Sequence, residues 1–211
     1  MELLEFIVTI ILVTGSGAIA PGPLFFANLS HGARIGAKSG FVFSIAHTLV
    51  EFTLVMLLAF GFFTVIDNIH LKTLIGVVGG VSLIVYSGLQ IRSSIMSKNS
   101  AMEFTNKHVT FRNLFLIGLA FTGLNPFFVV WWFTAGAQLI LIALEFMSFT
   151  GVILMYVCHV WMDYVWLITT AHLVKLGMDV SGFKWYRLIM LVFNVVLIFF
   201  GLRFIFNSIM L

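Results

Sequence analysis

His47 and Glu51 lie four residues apart in the stretch HTLVE, and His159 and Asp163 lie four apart in HVWMD. On an α-helix that spacing puts both side chains of each pair on one face, a turn apart. Both pairs interrupt strongly apolar runs. A charged side chain at mid-bilayer costs about 2.5–3.5 kcal/mol on insertion scales, so intramembrane carboxylates face the protein interior. Three chemistries are open to these residues. Glu51 and Asp163 can load and release protons, or bind a substrate ammonium. The pairs can instead be structural hydrogen bonds that lock two helices. Or His47, Glu51, His159 and Asp163 can together supply the nitrogen and oxygen ligands of a divalent metal ion.

The surroundings say what must position them. The chain has 211 residues, 61% of them apolar and 9% charged, with a mean hydropathy of +1.14. Soluble domains carry roughly 25% charged residues. So few charges cannot cover a globule with a wetted surface, and the reading is an integral membrane protein. The net charge of +3 sits between apolar runs, not on a soluble face, which excludes nucleic acid as a partner. Cys158 is the single cysteine, so an intrachain disulfide, a CxxC pair and a zinc finger are all excluded. No nucleophile motif or phosphate loop is present; the chain reads as no enzyme and as needing no cofactor. Ala18-Ile19-Ala20 has the form of a signal-peptidase site. The acidic Glu2 and Glu5 before it and Pro21 after it argue for a retained span.

Spans of about 20 apolar residues fall at roughly 4–29, 40–66, 73–96, 113–140, 146–170 and 187–210. The fold class is all-α, with six transmembrane helices in one transporter domain. The fourth and fifth spans are divided only by Gln138 and Glu145, which predicts a tight outer hairpin there. Arg34 and Lys38, then Arg92, Lys98, Lys107 and Arg112, then Lys175, Lys184 and Arg187 fall in three loops on one side. The other side holds Lys72 and Arg203. Basic loops stay in the cytoplasm. Both termini are therefore extracytoplasmic in a multi-pass protein of the cytoplasmic membrane, and Arg203 snorkels at the outer interface.

Three spans in each half permit two inverted-topology repeats, one at about 1–96 and one at about 113–211, joined by a cytoplasmic loop at about 97–112. Sequence matches in corresponding spans support this. Pro21-Gly22-Pro23-Leu24-Phe25-Phe26 parallels Asn125-Pro126-Phe127-Phe128, the two His/carboxylate pairs parallel each other, and Ser87-Gly88-Leu89 parallels Phe200-Gly201-Leu202. Inverted repeats are characteristic of secondary transporters, with the site at the midplane between repeats. Proline removes a backbone donor and clashes with the preceding turn, yet it is favoured at the first position of a helix. Each half can thus restart a helix inside the membrane, with Gly22 and Asn125 as caps and Pro23 and Pro126 as first residues. A restarted helix presents N–H donors and a positive dipole end, which suit a substrate carboxylate. A simple proline kink is the plainer reading of each site. Asn28 is expected to line the resulting cavity. Trp131 and Trp132 either wall it or serve as packing. The four-residue spacings Gly32–Gly36–Gly40 and Gly76–Gly80 predict close helix approach, in internal packing more than in dimerisation, although a homodimer stays open.

GSGAIAPGPLFFANLSHGARIGAKSGFVFSIAHTLVEF resembles the first two spans of the lysine-exporter (LysE-type) family of amino-acid efflux transporters. GLNPFFVVWWFTAG resembles its asparagine–proline motif in span four, and VYSGLQIRSS its end of span three. The resemblance implies six spans, and export of amino acids or similar metabolites driven by protons or membrane potential. By position it places Pro21, Gly22, Pro23, Asn125 and Pro126 at the broken-helix centre. Many members carry a lysine or another polar residue just after the Asn-Pro. Phe127 and Phe128 stand there in this chain, which implies a more apolar site. The wider superfamily includes metal exporters, which keeps a divalent-cation cargo as the alternative.

Overall fold

The structure is a computed structural model and describes residues 2–20, 22–63, 69–96, 110–178 and 184–210. Among these, all regular structure is helical: α1 (Leu3–Ala18), α2 (Pro23–Ile35), α3 (Ala37–Phe63), α4 (Ile69–Met96), α5 (Phe111–Gly123), α6 (Pro126–Trp131), a π-helical turn (Trp132–Gly136), α7 (Ala137–Lys175) and α8 (Lys184–Ile209). Pro21 and most of the 97–112 loop lie outside the described residues.

Two of these helical segments are long and apolar enough to cross a membrane, Ala37–Phe62 and Phe127–Lys175. A third qualifies if α1 and α2, which meet at 69°, are taken as one bent span. Their outer faces carry large apolar side chains such as Phe41, Leu49, Phe60, Val157 and Trp161. Water would not tolerate so continuous a surface, and hydrocarbon requires it.

Local chemistry explains both interruptions. α1 closes with short-range bonds, Ile19 N–H to Gly15 O and Ala20 N–H to Gly17 O. Gly22 is then extended (φ −109°, ψ 178°) and Pro23 opens α2, because the residue before a proline is pushed out of the helical region. The second interruption repeats the pattern. Leu124 caps α5, Asn125 is extended (φ −79°, ψ 110°), and its side chain accepts from the Phe127 N–H at 3.0 Å. Pro126 opens α6, where its missing N–H costs nothing. Both helices therefore stop and restart.

The reversal between the expected fourth and fifth spans is not at Gln138 or Glu145. Both are helical, and the chain turns at Met147 (φ −146°, ψ 28°) and Ser148 (φ 54°, ψ −144°). Gly151 comes so close to the Ala143 carbonyl that a Cβ would collide with it. Residues eight apart sit about 12 Å apart along a straight helix, so α7 doubles back into two limbs, 137–146 and 149–175. The first expected span also hands over to the second faster than expected. α2 runs to Ile35 and α3 begins at Ala37, with only Gly36 (φ 68°) between them.

The most extensive packing is α4 on α8 and α3 on α7. A Cβ on Gly32 would lie 2.8 Å from the Ala171 Cα, and one on Gly40 would collide with the Leu167 carbonyl. A Cβ on Gly80 would lie 2.5 Å from the Gly201 carbonyl. These glycines are used in contacts within the chain. One buried cluster, including Phe6, Ile10, Val13, Trp132, Leu139 and Phe200, fills the space between α1, the first limb of α7 and α8.

Candidate substrate and proton site

α3 presents His47 and Glu51, and the second limb of α7 presents His159 and Asp163. These two helices pack face to face, so the pairs meet. Glu51 Oε1 accepts from His159 Nε2 at 2.9 Å, from His47 Nε2 at 3.2 Å and from the Trp132 indole at 3.2 Å. Asp163 Oδ2 lies 3.5 Å from His159 Nε2 and 4.0 Å from His47 Nε2. The strongest contact is thus between the helices, Glu51 with His159, not within either sequence pair.

The other imidazole nitrogens are held by threonines. His47 Nδ1 meets Thr122 Oγ1 at 3.1 Å, and His159 Nδ1 meets Thr14 Oγ1 at 3.0 Å. An ionised carboxylate only accepts, so each Nε2 facing it carries hydrogen. A hydroxyl can donate or accept. Each histidine can therefore be neutral or charged without losing its second partner. Thr14 and Thr122 precede the two helix interruptions, and sequence reasoning missed them. The available signal was a threonine near the end of α1 and of α5, each a few residues before a break.

Glu51, His159 and Asp163 are buried. Glu51 Oε2 and Asp163 Oδ2 have no hydrogen-bond partner among the described residues. Buried acceptors are normally paired, and a buried charge needs a compensating partner. These two oxygens are therefore placed to take a proton or a cation. His47, Glu51 and Asp163 each offer one ligand atom, all within 4.8 Å of one another, which also fits a metal ion.

The quartet forms one wall of a cavity of about 380 Å³ that both interruptions reach through Gly22 and Asn125. The breaks touch: a Cβ on Gly22 would lie 3.3 Å from Asn125 Nδ2. Ligand pockets run from about 300 to 1,000 Å³, so this one suits a small metabolite. Phe25, Phe127, Phe128, Trp131, Trp132 and Trp166 give it an aromatic wall. Trp131 and Trp132 both pack in the core and wall the cavity. Their helix widens into the π turn at Trp132, a distortion that concentrates at functional sites. Trp132 lies back over Gly136, where a Cβ would collide with its ring.

Asn28 is not on the cavity wall. It is fully buried and donates to Leu167 O at 2.8 Å and Thr170 Oγ1 at 3.1 Å, which ties α2 to α7. The close approach of α2 to α7 at Gly32 turns it toward α7 instead of the cavity. Tyr156 is a further residue that sequence reasoning missed. Its hydroxyl donates to the Thr48 carbonyl at 3.2 Å, and its ring stacks beside His159.

A helical membrane protein whose interrupted helices meet at a pocket lined by two histidines and two buried carboxylates has the form of a membrane translocator. The family comparison agrees: the chain belongs to the LysE type translocator family, whose family model matches residues 15–208. Its substrate is accordingly a small molecule, and its surroundings are the lipid bilayer. Comparison with curated proteins and with solved structures gives no match.

Proposed function

We propose that the protein exports α-amino acids or related small metabolites with apolar side chains, by alternating access coupled to protons. The observation that carries this reading is the Glu51 hub: one carboxylate oxygen accepting from both histidines and Trp132, with Asp163 beside it, inside the cavity that both helix interruptions reach. The substrate ammonium competes with a proton for the carboxylates. The substrate carboxylate faces the first turn of α2, and the aromatic wall takes the side chain. When the cavity faces the cytoplasm, substrate displaces the proton from Asp163. When it faces outward, a proton returns to Asp163 and substrate leaves.

The architecture we infer has six spans: α1 with α2; α3; α4; α5 with α6 and the first limb of α7; its second limb; and α8. Two inverted repeats are supported by the dominant packing, which joins span two to span five and span three to span six. The histidine–threonine bonds cross in both directions, His47 to Thr122 and His159 to Thr14. The basic residues Arg34, Lys38, Arg92, Arg112 and Lys175 put their loops in the cytoplasm and both termini outside.

The test is efflux of radiolabelled L-amino acids from proteoliposomes under an imposed pH gradient. The reading expects efflux of apolar amino acids that accelerates when the receiving side is acidified. Efflux of no amino acid, or efflux indifferent to the gradient, contradicts it. A second reading, export of a divalent cation, is favoured by the convergence of His47, Glu51 and Asp163. Rescue of a deletion strain from metal toxicity, without rescue from toxic amino-acid analogues, would select it.

A further inference from the structure

We propose that the outer end of the bundle holds a second binding site, for the carboxylate and ammonium of an amino acid, built from Arg203, Gln138 and Glu145. It rests on the reading of the protein as an amino-acid exporter and adds a station that reading does not require. The site is a cavity of about 840 Å³ between α1, the first limb of α7 and α8, with Glu5, Thr9, Gln138, Glu145, Arg203 and Asn207 among its lining residues. It lies in series with the central cavity. Thr9 lines one and Gly17 the other, and eight residues of α1 span about 12 Å. Ile10, Val13, Trp131, Trp132 and Leu139 fill the layer between them.

Three observations point to a zwitterion. Charged residues make up 9% of the chain, yet a guanidinium and two carboxylates share this one cavity in otherwise apolar helices. Gln138 is 7% exposed, and its Nε2 has no hydrogen-bond partner among the described residues. A buried donor left unpaired is costly, and here it is matched by a ligand that brings an acceptor. Arg203 Nη2 donates to Glu5 Oε1 at 2.8 Å. That pair joins α8 to α1 across the rim of the cavity, so Arg203 has a partner where simple snorkelling was expected. A guanidinium carries five donors in a planar fork that suits a carboxylate. The ligand carboxylate takes Arg203 and Gln138, and its ammonium takes Glu145. An amino acid released from the central cavity would dwell here before leaving.

The experiment is L-leucine counterflow in proteoliposomes of known orientation, with half-saturating concentrations measured separately at each face. Arg203→Gln should raise the outside value, relative to the inside value, about tenfold, the size of one charge-assisted hydrogen bond. Gln138→Leu, which keeps the Glu5–Arg203 pair, should do the same to a smaller extent. Leucinamide, which lacks the carboxylate, should compete equally well with wild type and Arg203→Gln. Equal shifts at both faces, or none, in both variants overturn the second site while leaving export intact. Absence of L-leucine exchange and binding in wild type overturns the second site together with the amino-acid reading. Outside competition by cationic ligands only, unaffected by Arg203→Gln, also overturns it.

Discussion

Glu51 and Asp163 each follow a histidine by four residues, on helices that pack against each other, but their partners differ. Glu51 Oε1 has three donors, two of them from outside its own helix. Asp163 Oδ2 has no hydrogen bond among the described residues, although two imidazoles stand within 4.0 Å. The extra methylene of glutamate accounts for this. It lets Glu51 reach from α3 into hydrogen-bond distance of His159 and Trp132, while the shorter aspartate stops 4.0 Å from His47 across the same interface. One carboxylate is bonded into the frame through Oε1, and the other has no such bond at Oδ2 among the described residues. On this account Glu51 organises the site, and Asp163 carries the proton that moves.

The largest expected effect is from Glu51→Ala. It leaves two buried donors, on His159 and Trp132, and the partly buried His47 without this acceptor, each costing about 1–3 kcal/mol. Transport should vanish and the thermal midpoint should fall by well over 5 °C, at roughly 2–4 °C per kcal/mol for a chain of this size. Melting in detergent, alongside efflux, reads both.

Asp163→Asn separates the two roles. Removing a proton acceptor without removing a hydrogen bond should reduce gradient-driven efflux about 100-fold, within the contribution expected of a proton-transfer group. Its melting should stay within about 2 °C of wild type. If Asp163→Asn melted as low as Glu51→Ala, the proposed division of labour would be wrong.

Trp132→Phe preserves most of the ring contact and removes one donor to Glu51. Hydrogen bonds to charged groups contribute about 1.5–3 kcal/mol, so this variant should fall between wild type and Glu51→Ala in stability and retain measurable efflux. Wild-type stability would show that the indole bond contributes nothing. The smallest effects belong to Thr14→Val and Thr122→Val. Each should cost about 1 kcal/mol, and the two should match within about 0.5 kcal/mol, since each holds one Nδ1. A large inequality between them would break the symmetry assigned to the site.

The sequence revealed the parts more clearly than their pairing. The His–carboxylate spacing placed each pair on one face, and the caps at Gly22 and Asn125 followed from the prolines beside them. The contact of Glu51 with His159 was not legible, because it depends on how α3 and α7 are rotated against each other and on side-chain reach. The reversal at Met147 and Ser148 was hidden as well, since no proline or glycine occupies the turn itself. Gln138 and Glu145 drew attention as the polar break between two spans, but they line the outer cavity instead. In a membrane protein a polar residue marks either a loop or a lined interior, and spacing alone does not distinguish them. The π turn carries no composition signal beyond Gly136, which the Trp132 ring requires.

Proton movement measured together with L-leucine efflux, in proteoliposomes containing a pH-sensitive dye, tests the central claim most directly. The account predicts inward proton flux that rises in step with leucine leaving through the wild-type protein, and loss of that proton flux in Asp163→Asn while the protein remains folded. Leucine efflux with unchanged proton flux in Asp163→Asn would contradict it.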